Sequence, residues 1–314
     1  MTGYIELSRP SKDSSSLPAD RLKKCIDLLA SGGVRHLVIK GGAGGDALSN
    51  PHLLDLYPYA QKKKLTVFVQ TELLKVEEGL IRSLAASGMT NVLIDWDESI
   101  TDENPGEKTL AKIDNLVLLS SVLKKRGSTA ILCVPITNRT VYALPEIAMF
   151  AHKMGLFSLF SPGESSKGIA DPGRFSPVME LLIEYKSKTI KIFNTSKQLR
   201  EYYDYLAGTL SFTCGRRGSL IGVDEGGQVI ICGEKTGMAS EMNPPELKKA
   251  LRSFNCACAS PCIYEAFNFR TDIFSLYEGF ITYLASYIKR PQRQPDEVEF
   301  LRGELNGAAA VRKN

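Results

Sequence analysis

Several things are scarce in this chain of 314 residues, and each scarcity removes a class of function. There are only three histidines, His36, His52 and His152, and their spacing fits no metal site. The first twenty residues are polar and rich in Ser and Lys, with no apolar core of a signal peptide. No later stretch is apolar over the length of a membrane span, so the sequence predicts no membrane partner and a cytoplasmic location. The formal net charge is only +4 and the basic residues are scattered; Lys62–Lys64 is a short run that reads as a solvated face. Nothing therefore points to nucleic acid. There is no G-x-x-x-x-G-K-[ST], and no G-x-G-x-x-G opening a helix at the right distance, which removes nucleoside triphosphates and a Rossmann dinucleotide. No internal repeat stands out.

With 43% hydrophobic residues, the chain can bury a full-sized core, and one large domain with a small appendage is expected. Helical and strand patterns alternate from 17 to 160. A helix from Pro18 to Ala30 carries Leu22, Cys25, Ile26 and Leu29 on one stripe and stops at Gly32-Gly33. Strands are predicted at Val34–Lys40, Leu65–Thr71, Asn91–Trp96, Thr129–Thr137 and Leu156–Phe160, with helices near 50–63, 76–87, 108–126 and 144–154 between them. These strands are continuous apolar runs rather than alternating ones, as strands covered on both faces are. The fold class is α/β with a parallel sheet, doubly wound or curled into a barrel. Helices Pro177–Lys186 and Lys197–Leu206 follow. Ser219–Val223 and Gln228–Cys232, joined by Asp-Glu-Gly-Gly, read as a β-hairpin, and an amphipathic helix is predicted over Thr271–Ile288.

Polar residues collect past the carboxyl ends of the strands: Asp46, Gln70 to Glu72, Asp95, Asp97, and Thr137 to Arg139. In either architecture that edge binds ligands, although turn and cap roles account for such residues equally well. After the first predicted strand comes Lys40-Gly-Gly-Ala-Gly-Gly-Asp46, whose glycines let bare backbone approach a ligand.

The soft donors are near the other end. Cys214, Cys232, Cys256, Cys258 and Cys262 form a concentrated thiolate set in a chain predicted to be cytosolic, where disulfides are rare. They point to an iron–sulfur cluster, with zinc as the alternative. Cys25, on an apolar helix stripe, and Cys133, inside an apolar strand, read as small buried hydrophobes.

Two of these segments resemble the radical S-adenosylmethionine superfamily. Gly44-Gly45-Asp46-Ala47-Leu48-Ser49-Asn50-Pro51-His52-Leu53 is similar to its Gly-Gly-Glu-Pro segment, with Asp46 in place of the glutamate and Ala47 in place of the proline. Ile94-Asp-Trp-Asp97 takes the place of its Ser-x-Asp, and Pro135-Ile-Thr-Asn138 that of a strand ending in Asn. Cys214-x12-Gly227-x4-Cys232 resembles the opening of the SPASM and twitch extensions that many members carry. The later Cys256-x-Cys258-x3-Cys262 departs from the full pattern and leaves enough thiolates for one four-iron cluster. The resemblance implies a partial (β/α)6 TIM-like barrel over 1–207, a cysteine-rich extension over 208–290 and a tail, partly disordered, over 291–314. It implies S-adenosylmethionine as cofactor, with Gly44, Gly45 and Asp46 at its methionine end and Asp97 and Asn138 lining the cleft. It further implies one auxiliary 4Fe-4S cluster on the five cysteines, an electron donor if the protein is active, and radical modification of a substrate, peptides being one class that such members modify.

One family element is absent. The catalytic cluster of the superfamily is held by C-x3-C-x2-C after the first barrel strand, and this sequence contains no such motif. Tyr4, the polar segment Ser8–Ser16 and the helix from Pro18 reproduce the layout that normally follows the third cysteine. On that alignment the first strand is missing, through either a shortened enzyme or a degenerate, non-catalytic protein that recognises a peptide or partner enzyme. The strand at Val34–Lys40 would then be an open edge, inviting poor solubility or self-association, unless residues near Ile5–Leu7 fold back over it.

Overall fold

Apolar stripes at helical spacing, separated by short apolar runs, build six successive strand–helix units. The computed structural model describes residues 1–7, 17–42, 45–73, 76–97, 106–124, 129–162, 172–188, 191–210 and 220–254. In order the units are β1 (Thr2–Leu7), α1 (Ala19–Ser31), β2 (His36–Gly41), α2 (Leu53–Lys62), β3 (Thr66–Thr71), α3 (Glu78–Ala86), β4 (Asn91–Asp95), α4 (Glu107–Lys124), β5 (Thr129–Ile136), α5 (Leu144–Lys153), β6 (Phe157–Pro162) and α6 (Pro172–Ser187), with α7 (Ser196–Leu206) after them. The six strands are parallel and lie side by side in chain order.

A sheet wound in one direction with right-handed crossovers puts its helices on one face and curls toward a barrel. The core agrees. One apolar cluster joins helix residues Ile26, Leu29, Ile81 and Leu116 to strand residues Leu37, Ile39, Val69 and Ile94. The opposite, inner face gathers Tyr4, Val38, Phe68, Leu93, Ile131 and Leu159, with no helix residue among them. The expected partial TIM-like barrel is what the chain forms.

The expectation of a missing first strand is corrected. Thr2–Leu7 forms that strand, pairing with β2 from Thr2↔His36 to Leu7↔Gly41. Of the three outcomes foreseen for the β2 edge, coverage by the Ile5–Leu7 region is the one observed. The family-based alignment of Tyr4 hid it: Tyr4 lies within the strand, and Ser8–Ser16 follows it.

The expected hairpin forms as β7 (Leu220–Val223) and β8 (Gln228–Ile231), joined to a further strand β9 (Glu234–Met238) and helix α8 (Pro244–Ser253). β7 runs parallel to β1, Thr2↔Leu220 through Ile5↔Val223, so β1 is sandwiched between barrel and hairpin. The nine-stranded order is β6-β5-β4-β3-β2-β1-β7-β8-β9. At the far side, the segment after α6 blunts the β6 edge. Ser158 N–H donates to Lys191 O at 2.9 Å, and the Asn194 amide bonds both the N–H and the C=O of Phe160. The predicted helix at 271–288 and the 291–314 tail lie outside the described residues.

Candidate functional site

Alternation along the strands decides what faces the inside of the barrel. Above the apolar floor the first four strands each contribute one more inward position: Glu6 on β1, Lys40 on β2, Gln70 on β3 and Asp95 on β4. Glu6 pairs with Lys40 at 2.9 Å, and the Lys40 ammonium sits 4.4 Å from the centre of the Tyr4 ring. That ring in turn lies flat on Gly222 of β7: a Cβ there would stand 2.1 Å from the ring. Gln70 donates to Asp95 Oδ2 at 2.6 Å. The result is a polar row of carboxylate, ammonium, amide and carboxyl across the carboxyl end of the sheet. Burial pushes the Asp95 carboxyl up to about 6, against the opposing pull of the Gln70 hydrogen bond. Cys133 on β5, directly across from Asp95, is buried, and burial and that neighbouring carboxylate push its thiol well above its ordinary value. Cys25 is buried as well, its thiol pushed up to about 11 by burial. Both behave as the inert hydrophobes expected.

The glycine loop starts where β2 ends. A Cβ on Gly41 would fall 2.1 Å from Gly45 O, so only glycine permits the loop to close on itself. Gly45 N–H then donates to Gly42 O at 2.9 Å, and Gly42 N–H donates to Leu7 O at 2.8 Å, tying the loop to the end of β1. Gly44 lies outside the described residues. Asp46 caps a short 3-10 turn over Ala47–Ser49: its Oδ1 accepts from Leu48 N–H at 3.0 Å. Its Oδ2 accepts from the Thr71 hydroxyl on β3 at 2.8 Å. Both carboxylate oxygens are thereby hydrogen-bonded within the fold.

Asp97, just past β4, sits at the rim: its side chain is 58% exposed and 3.7 Å from the ammonium of Lys112 on α4. Asn138 is exposed in the turn after β5, which Thr140 closes by donating to Pro135 O at 2.6 Å. The structure thus brings Gly45 and Asp46 to the mouth of the barrel beside β1, with Asp97 and Asn138 at the strand ends farther along the same edge. Asp95 is the inward-facing acid of β4. Glu6 and Lys40 were not singled out from the sequence because they end strands that otherwise read as apolar runs.

In the hairpin, Asp224 Oδ1 accepts from Gly226 N–H and Gln228 N–H at 3.0 and 2.8 Å, and Gly227 turns the chain at φ +86. Cys232 directly follows β8, half-buried, with φ +47. Glycine at the turn and cysteine at the strand end are where the spacing expected them. Cys214, Cys256, Cys258 and Cys262 lie outside the described residues, so one of the five predicted donors is seen, directly after β8.

No protein-family model and no curated protein matches the sequence. Solved structures do match in shape. The crystal structure of Streptococcus suis SuiB superposes with a TM-score of 0.58 at 12% identity, over 82% of this chain and 68% of that one. SuiB bound to precursor peptide SuiA and SuiB bound to S-adenosylmethionine each give 0.57 at 13% identity, over 82% of this chain and 67% and 66% of theirs. The chain shares the fold of SuiB. At such identity the likeness to SuiB is one of architecture, and chemistry rests on this chain's own residues. In sequence, β1 is followed by Ser-Arg-Pro-Ser-Lys-Asp-Ser-Ser-Ser16, which contains no cysteine.

Proposed function

We propose that this protein is a ligand-binding member of the radical S-adenosylmethionine fold that does not generate the radical. It holds S-adenosylmethionine at the glycine loop and recognises a peptide or a partner enzyme. One observation carries this reading. The segment that leaves the carboxyl end of β1, where the superfamily places C-x3-C-x2-C, is Ser8–Ser16.

The cofactor half of the proposal draws on the Gly41–Asp46 loop, with backbone exposed beside the Glu6–Lys40 pair, and on SuiB having been captured with S-adenosylmethionine. The peptide half draws on SuiB having been captured with a precursor peptide. Cys232 and the four cysteines outside the described residues would hold an auxiliary iron–sulfur cluster, or zinc, which would stabilise the extension. No helix among the described residues is long and apolar enough to cross a membrane, and a cytoplasmic location remains part of the proposal.

The test is direct. The purified chain, reduced anaerobically with S-adenosylmethionine, should bind the cofactor in equilibrium dialysis and yield no 5′-deoxyadenosine. Turnover to 5′-deoxyadenosine would overturn the proposal in favour of a radical enzyme.

A further inference from the structure

The hairpin contributes a carboxylate to the barrel mouth. Glu225 occupies the β7–β8 turn, and the turn reaches past the end of β1 to the glycine loop. A Cβ on Gly42 would fall 2.4 Å from Glu225 Oε2 and 3.2 Å from its Cδ, so the carboxylate lies directly on the face of Gly42. The backbone beneath Glu225 is locked. Asp224 bonds two N–H groups of the turn, Gly227 N–H donates back to Asp224 O at 2.9 Å, and Lys235 of β9 lies 3.4 Å from Asp224 Oδ2.

Every other carboxylate around this loop has an occupation. Asp46 is bonded at both oxygens, and Glu6 is paired with Lys40. Among the described residues, Glu225 alone of the three has no hydrogen-bond or ion-pair partner, although it is half-buried. A half-buried carboxylate beside bare backbone, with no partner in the fold, favours a cation with N–H donors. A primary ammonium fits: it is small and offers three donors, one for the carboxylate and others for loop carbonyls.

We propose that Glu225 is the ammonium-binding carboxylate of the barrel mouth, supplied by the hairpin because the loop's own Asp46 is committed to the fold. The inference rests on the ligand-binding reading above and adds to it the chemical class recognised and the residue that recognises it. Two ligands carry that group: the methionine end of S-adenosylmethionine, and a lysine side chain of a peptide.

The experiment measures binding to the full chain by calorimetry, for wild type and Glu225→Gln. The probes are S-adenosylhomocysteine, its analogue lacking only the α-amino group, and Nα-acetyl-lysine methylamide. Wild type should bind S-adenosylhomocysteine at least tenfold more tightly than the deaminated analogue. Glu225→Gln should erase that difference by weakening the amino-bearing ligand alone, with Glu225→Asp intermediate; a non-additive pair of changes of this kind identifies direct coupling. Discrimination that persists in Glu225→Gln, or is absent in wild type, overturns the inference while leaving cofactor binding intact. If S-adenosylhomocysteine does not bind but the lysine amide does, and Glu225→Gln abolishes it, the cofactor reading falls and the ammonium site stands. Binding of none of the three overturns both. Thermal unfolding of Glu225→Gln should match wild type, because the side chain bonds nothing in the fold.

Discussion

Asp95 shows how one side chain carries a cost for its position. It faces the inside of the barrel above Leu93, Gln70 donates to it, and burial pushes its carboxyl up to about 6 from an ordinary 3.8. The folded state therefore prefers the protonated form more strongly than the unfolded state does. Its contribution to stability falls as pH rises from about 4 to about 6 and is flat above that. Replacing it with the neutral isostere should remove the penalty. Asp95→Asn is expected to be more stable than wild type by ~3 kcal/mol at pH 8 and equal to it below pH 4, as read from denaturant unfolding across that range. A stability gap that does not grow with pH would show that Asp95 is solvated in solution. Glu225, in contrast, makes no hydrogen bond or ion pair among the described residues, which is why the ammonium site is proposed there.

Among the elements, β1 has an arrangement that the residues alone do not announce. It is paired on both sides, with Ile5 and Leu7 almost fully buried on the helix side. Its amide protons should exchange as slowly as those of β2 in hydrogen-exchange mass spectrometry; exchange within seconds would mean the segment is frayed. The other barrel strands were legible to within about two residues, because two-sided burial writes itself as apolar runs such as Leu-Val-Ile or Ala-Ile-Leu-Cys-Val. β1 was not, because Thr-Gly-Tyr-Ile-Glu-Leu mixes Gly3 and Glu6 into the run, and the family layout placed Tyr4 after the strand. β9 carries Glu-Lys-Thr-Gly-Met, the polar composition of a sheet edge, and gives no strand signal. α8 was missed although its start was readable: Asn243 and Glu246 form a reciprocal capping box around Pro-Pro. In the site, the glycine loop and Asp46 were legible from a motif, whereas Glu225 was hidden in a turn whose sequence speaks only of chain reversal.

At the scale of the whole molecule, barrel and hairpin share one sheet, so Cys232 is carried by strands continuous with the barrel. Cys232→Ala is expected to lose iron and sulfide, about four of each per chain in anaerobically reconstituted wild type, while its unfolding midpoint in the metal-free state stays unchanged. Zinc without sulfide in the wild type would assign the site to a structural ion instead. The same continuity has a consequence for synthesis. β1 can find β2 once a few dozen residues exist, but its other edge must wait for residues 220–223. For most of translation the growing chain presents an unsatisfied row of backbone groups next to Tyr4 and Ile5, and the last pairing is among the most distant in sequence. A ribosome-bound chain halted before residue 220 should be the aggregation-prone species of this protein, and its interval of exposure is set by the elongation rate.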